Sequence, residues 1–360
     1  MFVPSVAGAF GEQVELLVKH LRDCGVRVIL VVPDRYHEDR LPHADDWVFM
    51  TKGSKLVTAK RLLSPIMLWS LVRHLLRMRP HCTYIYCGEA YPPTVLVSFL
   101  CRLLRIRCVV SVHDAAPHPG KVFDLINEKL RIPSLYLAST LHTFSEHGRD
   151  ILKKRFPGKH IAESPLLDLA ELYLGYSTAQ YAGEKIILCF GRIEPYKDIP
   201  CVVAAFSRLL CDHPDAKLRI IGNNGLGSEL FTITKDVPNC TVVDRFLPPL
   251  TLTEELSRAH TCIFAYTEAS HSGGAELALA FGCNVVATNV AAFAGLAGQL
   301  GVFLSEPGNV QGCSDAMSRA VSSPKRSRDS NALVQIAASN RERVFQFLVK
   351  AKICEVTNDT

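Results

Sequence analysis

The chain has 360 residues, 48% hydrophobic, 21% charged and 8% aromatic. That length suits two or three domains of about 150 residues each, so a disulfide-held mini-protein and a disordered chain are both excluded. The formal charge of +5 is well below that of a dedicated nucleic-acid binder, and no nucleic-acid partner is expected. The charge is unevenly spread: residues 1–165 hold 23 Lys and Arg against 15 Asp and Glu, a net +8, and the remainder is mildly acidic. The 13 cysteines contain no C-x-x-C and no zinc-finger spacing with His, so reduced thiols in a reducing compartment are expected. The opening residues carry no basic leader, and in the basic front no uncharged apolar stretch reaches the roughly 18 residues that cross a bilayer. A cytoplasmic protein follows, free or resting on a membrane surface.

In chain order, apolar runs of strand length alternate with segments of helical spacing. Residues 26–32 (VRVILVV), 83–87 (TYIYC) and 108–112 (CVVSV) read as strands, and 13–23, 65–79 and 94–104 as the helices between them. The first strand is abbreviated, since the chain starts only about seven residues before Gly8. The rhythm restarts with residues 185–190 (KIILCF), 217–222 (KLRIIG), 241–243, 261–264 (TCIF), 284–288 (NVVAT) and 301–304 (GVFL). Parallel crossovers need a returning helix, so two βα series imply two Rossmann-like parallel-sheet domains. The least periodic stretch, 163–184, is the expected hinge. The domains are therefore read as 1–165 and 166–335, with a last helix within 336–360 crossing back to the first.

Two runs carry chemistry. Residues 190–199 (FGRIEPYKDI) follow an apolar strand and precede a helix. Arg192 and Lys197 thus sit in a loop at the carboxyl end of a parallel strand, where open α/β sheets place ligands. A forked guanidinium and a point-charge ammonium suit a diphosphate, although two solvated loop cations would give the same spacing. Residues 266–282 (YTEASHSGGAELALAFG) also follow a strand. Ser272, Gly273 and Gly274 open the next helix and offer backbone N–H groups to an anion. Glu268 before that helix and Glu276 inside it are placed to grip hydroxyls. The chain contains no D-x-D, which favours cationic side chains over a metal ion for a leaving diphosphate.

In order and spacing these motifs resemble family 4 glycosyltransferases, the glycosyl transferases group 1 superfamily of GT-B fold. The resemblance rests on G-R-x-x-x-x-K at Gly191–Lys197, the turn ending at Gly222, Asp244-Arg245-Phe246, E-x7-E from Glu268 to Glu276, and the stretch ending at Thr288. The front matches through Gly8–Gly11 and through Ser111-Val112-His113-Asp114. The T-E-A-S-x-S-G arrangement resembles bacterial polysaccharide-biosynthesis enzymes. It departs from the commoner motif by inserting Ala-Ser-His-Ser-Gly-Gly and by placing Glu276 six residues before Gly282, which leaves a ribose role for Glu276 open.

The resemblance implies two domains facing a cleft and a retaining hexosyltransferase with a nucleotide-sugar donor, no cofactor and no metal. Arg192 and Lys197 would bind the diphosphate, Glu268 the donor sugar and Glu276 the ribose. His113 would face donor sugar and acceptor, and Gly11 would let a first-domain loop approach the phosphates. Alternatives are a nucleotide-sugar epimerase and a non-catalytic nucleotide-sugar binder. A Rossmann dehydrogenase is disfavoured because no G-x-G-x-x-G follows a strand.

The basic front adds two amphipathic runs, 60–79 with Trp69 near its middle and 100–107. Each alone reads as an ordinary helix packed on a sheet. Together with the net +8 they suggest an anionic membrane surface and a glycan or lipid-linked oligosaccharide acceptor, placing the enzyme peripherally at the inner face of the cell membrane.

Overall fold

The computed structural model describes residues 1–3, 9–32, 46–49, 64–86, 92–113, 115, 122–176, 181–269, 272–326 and 331–353. It divides into two compact units, one formed by Met1–Leu167 with Ala338–Thr360, the other by Asp168–Ala337.

In the first unit the described helices are α1 (Ala9–Asp23), α2 (Pro65–Met78), α3 (Pro92–Leu103), α4 (Val122–Leu137) and α5 (Glu146–Arg155). The strands are β1 (Ile29–Val32), β2 (Asp46–Phe49), β3 (Cys82–Ile85), β4 (Arg107–Val112), β5 (Thr140–Thr143) and β6 (His160–Glu163). β1 pairs with β2, and β3 to β6 pair in sequence, all parallel. Residues 1–3 join the two sets: Phe2 bridges both Val31 and Ile85, its N–H donating to the Tyr84 carbonyl at 2.8 Å while the Val3 N–H donates to the Val31 carbonyl at 2.9 Å. Residues 1–3 thus lie at the centre of the sheet, giving the order β2, β1, residues 1–3, β3, β4, β5, β6.

β5 and β6 escape sequence reading because TLHT carries polar residues at buried positions and HIAE is a short strand with a polar residue at each end. His142 shows how one is tolerated. Its Nδ1 pairs with the Tyr84 hydroxyl and its Nε2 with the Ser164 hydroxyl, both at 2.8 Å. Burial, aided by the Lys350 ammonium, pushes the imidazole pKa down to about 3, so a neutral ring that both donates and accepts satisfies the site.

In the second unit the strands are β7 (Ile186–Phe190), β8 (Lys217–Ile221), β9 (Cys240–Val243), β10 (Thr261–Phe264), β11 (Asn284–Thr288) and β12 (Val302–Ser305). They form one parallel sheet in the order β12-β11-β10-β7-β8-β9. The flanking helices include α6 (Ala170–Gly175), α7 (Ile199–Leu209), α8 (Ser228–Thr234), α9 (Pro249–Arg258), α10 (Gly273–Ala280) and α11 (Val310–Ser322). Alternate strand residues feed opposite cores: Ile187, Leu218, Ile263 and Val286 meet α7 and α11, while Leu188, Ile221, Cys262 and Val285 meet α6, α9 and α10. Both faces are buried, as a parallel sheet with helical crossovers requires. The hinge stretch read from sequence contains α6 and the last strand residue of the first unit.

The last helix, α12 (Ala332–Lys350), begins in the second unit and from Ala338 onward belongs to the first. There Phe347 packs on His142 at 4.5 Å and on Tyr84 at 5.0 Å between ring centroids.

Most described cysteines are buried, and all are free thiols. Gln13 on α1 clamps the end of the first unit's leading segment: its Nε2 donates to the Leu167 carbonyl at 2.7 Å and its Oε1 accepts the Leu167 N–H at 3.0 Å, both buried. Replacing Gln13 by Leu leaves two buried backbone groups unpaired. It is expected to cost about 2–4 kcal/mol in denaturant unfolding.

Candidate active site

The second sheet runs outward from β7 through β8 to β9, then returns to the other side of β7 with β10. β7 and β10 are neighbours, with Thr261 opposite Ile187 and Cys262 opposite Leu188. This is the reversal point of a doubly wound sheet, the place at the carboxyl ends of the strands where such sheets bind ligands. Both sequence motifs of this unit lie in those two loops.

The loop after β7 is fixed by its neighbour. The Gly191 N–H donates to the Ile221 carbonyl at 3.0 Å and the Ile193 N–H to the Asn223 carbonyl at 2.9 Å. Gly191 has a φ of +91°. A Cβ on Gly222 would overlap the Gly191 carbonyl oxygen, so the two loops approach this closely only because position 222 lacks a side chain. A single 3-10 turn, Pro195–Lys197, follows. Asp198 then stands at φ +44° and caps α7, its carboxylate accepting the Cys201 N–H at 3.3 Å.

That turn folds Lys197 back under the loop. The side chain is 5% exposed, Nζ donates to the Phe190 carbonyl at 2.7 Å, and it lies 5.6 Å from the centroid of the Tyr266 ring. Burial holds the Lys197 pKa below that of an ordinary lysine; the Cys189 thiol and the Glu194 carboxylate oppose this and the Arg192 guanidinium reinforces it. Arg192 itself is exposed. A buried ammonium with one hydrogen bond and an exposed guanidinium thus belong to the same loop.

The loop after β10 is tied to the same turn. The Thr267 N–H donates to the Tyr196 carbonyl at 2.7 Å, and the Tyr196 and Tyr266 rings meet edge to face at 5.1 Å. Burial, with Tyr196 alongside, pushes the Tyr266 phenol well above its ordinary pKa, keeping it neutral. These two tyrosines were not singled out from sequence; their signal was an aromatic residue at each loop's point of contact. Ser272 takes the N-cap position of α10 in extended conformation without spending its side chain on a capping bond. Gly273 and Gly274 begin the helix, and Gly274 passes close over Phe264, so close that a Cβ there would stand 3.0 Å from the ring. Glu268 is exposed on the loop, and Glu276 is exposed in the first turn of α10. Ser270 and His271 lie outside the described residues.

The structure therefore gathers Arg192, Lys197, Gly222, Glu268, Ser272, Gly273, Gly274 and Glu276 on the loops after β7, β8 and β10. The two remaining candidates belong to the first unit. His113 follows β4 directly and is half-buried, its ring 5.7 Å from that of Phe144. Gly11 corrects the reading from sequence. It is buried in the first turn of α1 rather than in the loop before it, because helical hydrogen bonding starts as early as Ala9. Among the described residues no group of three or more His, Cys, Asp or Glu is placed to hold a metal ion.

Residues 184–323 match the family described as "Glycosyl transferases group 1", and residues 8–159 match the "Glycosyl transferase 4-like domain". No curated protein matches. Solved structures resemble the chain over 98% of its length. They include sucrose-phosphate synthase from Thermosynechococcus elongatus (16% identity, 96% of that chain, TM-score 0.62). Anabaena HepE in complex with UDP and glucose also matches (14%, 96%, 0.62), as does a glycosyltransferase from Rickettsia africae (13%, 95%, 0.63). The fold is that of the GT-B glycosyltransferases, and the chain belongs to the group 1 glycosyltransferases, enzymes of sugar transfer.

Because the obstacle at Gly222 is backbone, no rotamer change relieves it. Gly222→Ala is expected to cost about 2–4 kcal/mol in unfolding experiments. Gly273→Ala, whose Cβ would meet nothing within 4 Å, is expected to stay within about 0.5 kcal/mol of wild type.

Proposed function

We propose that the chain is a retaining hexosyltransferase that moves a sugar from a nucleotide-diphosphate sugar to a lipid-linked glycan acceptor in cell-surface polysaccharide synthesis. The observation that carries this reading is Lys197, a buried ammonium in a loop at the sheet's reversal point, with Arg192 on the same loop and the start of α10 across from it. An anion between those loops would meet a point charge, a bidentate fork and unused helix N–H groups together. As the bond from sugar to diphosphate breaks, negative charge grows on the leaving oxygens, and donors already in place stabilise it without reorganising. Protein cations serve this purpose in our reading, with no resident metal.

In the same reading Glu268 and Glu276 hold donor hydroxyls, Glu276 those of the ribose. Ser272, Gly273 and Gly274 line the anion, and Gly222 keeps the loop after β8 clear. His113 positions the acceptor. The acceptor hydroxyl attacks from the face the diphosphate leaves, and the departing phosphate oxygen takes its proton, so anomeric configuration is kept and His113 need not be the base.

The membrane part of the proposal rests on α2 and α3, which pack together. α2 buries Leu71 and Leu75, and its opposite side displays Ile66, 82% exposed, and Trp69, 67% exposed, with Arg73 and Arg77 between and beyond them. At 100° per residue these four share one stripe. α3 adds exposed Phe99 and Leu103. Neither helix contains an Asp or Glu, so the face complements an anionic leaflet. Among the described residues no helix is long and apolar enough to cross a membrane. Lys60 and Arg61 of the same run lie outside the described residues.

Arg192→Ala together with Lys197→Ala is expected to lower sugar transfer by about 100-fold or more; near-wild-type transfer by that double variant would overturn the site. Thermal stabilisation by UDP, GDP and ADP sugars, with UDP-glucose tried first, identifies the donor; at 100 times its dissociation constant the right one adds about 2.7 kcal/mol. The alkaline limb of the rate profile should fall below the ordinary lysine range as Lys197 loses its proton. Since Arg192 lowers that pKa and Glu194 raises it, Arg192→Gln should move the limb up and Glu194→Gln down. Flotation with anionic vesicles should retain the wild type and lose Trp69→Ala with Ile66→Ala by several-fold; absence of flotation at low salt would remove the membrane part and leave the transferase part standing.

A further inference from the structure

The basic run 100–107 does not simply face outward. Arg102, Arg105 and Arg107, with His81, Ser139 and Lys352, line a cavity of about 620 Å³ in the first unit. It opens at the amino ends of the strands: His81 precedes β3, Arg107 begins β4, and Ser139 precedes β5. His113 follows the far end of β4, about 20 Å away at 3.3 Å per residue, so the cavity is separate from the end that bears the candidate transfer residues.

The cations around it are costly to the fold. α3 ends in a Schellman motif, with the Arg105 N–H donating to the Arg102 carbonyl and the Ile106 N–H to the Cys101 carbonyl. α12 ends the same way through Lys352 to Val349 and Ile353 to Leu348. In each motif the left-handed position, normally glycine, is taken by a cation, Arg105 at φ +56° and Lys352 at φ +56°. α2 also closes on a left-handed cation, Arg79 at φ +39°, whereas two other helices use glycine. α1 closes on Gly25 at φ +77° and α10 on Gly282 at φ +74°, with the same pair of backbone bonds. The two motifs that border the cavity therefore carry the unfavourable residue, and it is basic both times.

No described carboxylate pairs with any of these cations. The field they create is felt nearby. Lys159, held on the Ala138 carbonyl at 2.6 Å, has its pKa lowered by burial first and by the Arg102 guanidinium second. We infer that this cavity binds a multiply phosphorylated anion, at a site separate from the donor loops. Three guanidiniums offer forks to phosphate oxygens and Lys352 adds a point charge, and the volume admits a diphosphate-sized group with room for a substituent.

The test uses the full chain and radiolabelled pyrophosphate in equilibrium dialysis. Two equivalents are expected, one at the Arg192–Lys197 loop and one here, so the failure of either site leaves the other visible. Arg105→Gly combined with Lys352→Gly removes two cations while supplying the residue the backbone prefers. The variant is expected to melt at the same temperature or higher and to bind the second equivalent at least 10-fold more weakly, whereas Arg192→Ala affects only the first. If the glycine variant binds both equivalents like wild type, or if Arg192→Ala abolishes all binding, the inference is overturned. The source of the phosphate is read by competition: phosphatidylcholine vesicles containing phosphatidic acid displace the second equivalent if a lipid headgroup is the ligand, and only soluble polyphosphates do so if it is a free metabolite.

Discussion

One buried ammonium organises the second unit. Taking a lysine charge out of water costs several kcal/mol, and the single hydrogen bond from Lys197 to the Phe190 carbonyl returns only about 1.5–3 kcal/mol. The difference is a cost that the fold carries in holding the ammonium there. Everything around the loop keeps Lys197 in that state: the glycine contact between positions 191 and 222 seats the loop, Asp198 turns the chain into α7, and the Tyr196–Tyr266 pair closes the side toward β10. A loop free to move would swing the ammonium into solvent and lose its advantage over an ordinary surface lysine.

The same winding order serves both units for different ends. In each, the chain starts at a central strand, works outward, and returns to the other side of the start. This creates a reversal point between the starting strand and the returning one. In the second unit that point carries the cations. In the first, the central strand is residues 1–3, and the charge is displaced toward the opposite, amino-terminal ends of the strands and onto α2 and α3. The basic excess of the front half is thus resolved into two distinct features, an amphipathic face and a lined cavity.

Much of this was legible in the residues. The six strands of the second unit stand within one or two residues of their apolar runs, because doubly buried parallel strands are apolar throughout, and the helix opening at Ser272 was marked by its two glycines. What could not be read depended on contacts between segments distant in sequence. β5 is polar on paper because His142 is satisfied by Tyr84 and Ser164, and Gly11 reads as loop because nothing local reveals that the helix starts at Ala9. The bracing tyrosines gain meaning only when β7 and β10 are known to be neighbours. Arg105 and Lys352 look like ordinary basic residues until their left-handed backbone is seen.

The division of the chain bears on how it is made. The second unit is continuous in sequence, whereas the first needs Val344 and Phe347 to cover His142 and Tyr84. During synthesis from the amino terminus, the unit that begins first is completed last. Until then the nascent first unit carries an open apolar seam, and the later-born second unit can already be folded when α12 arrives to close it.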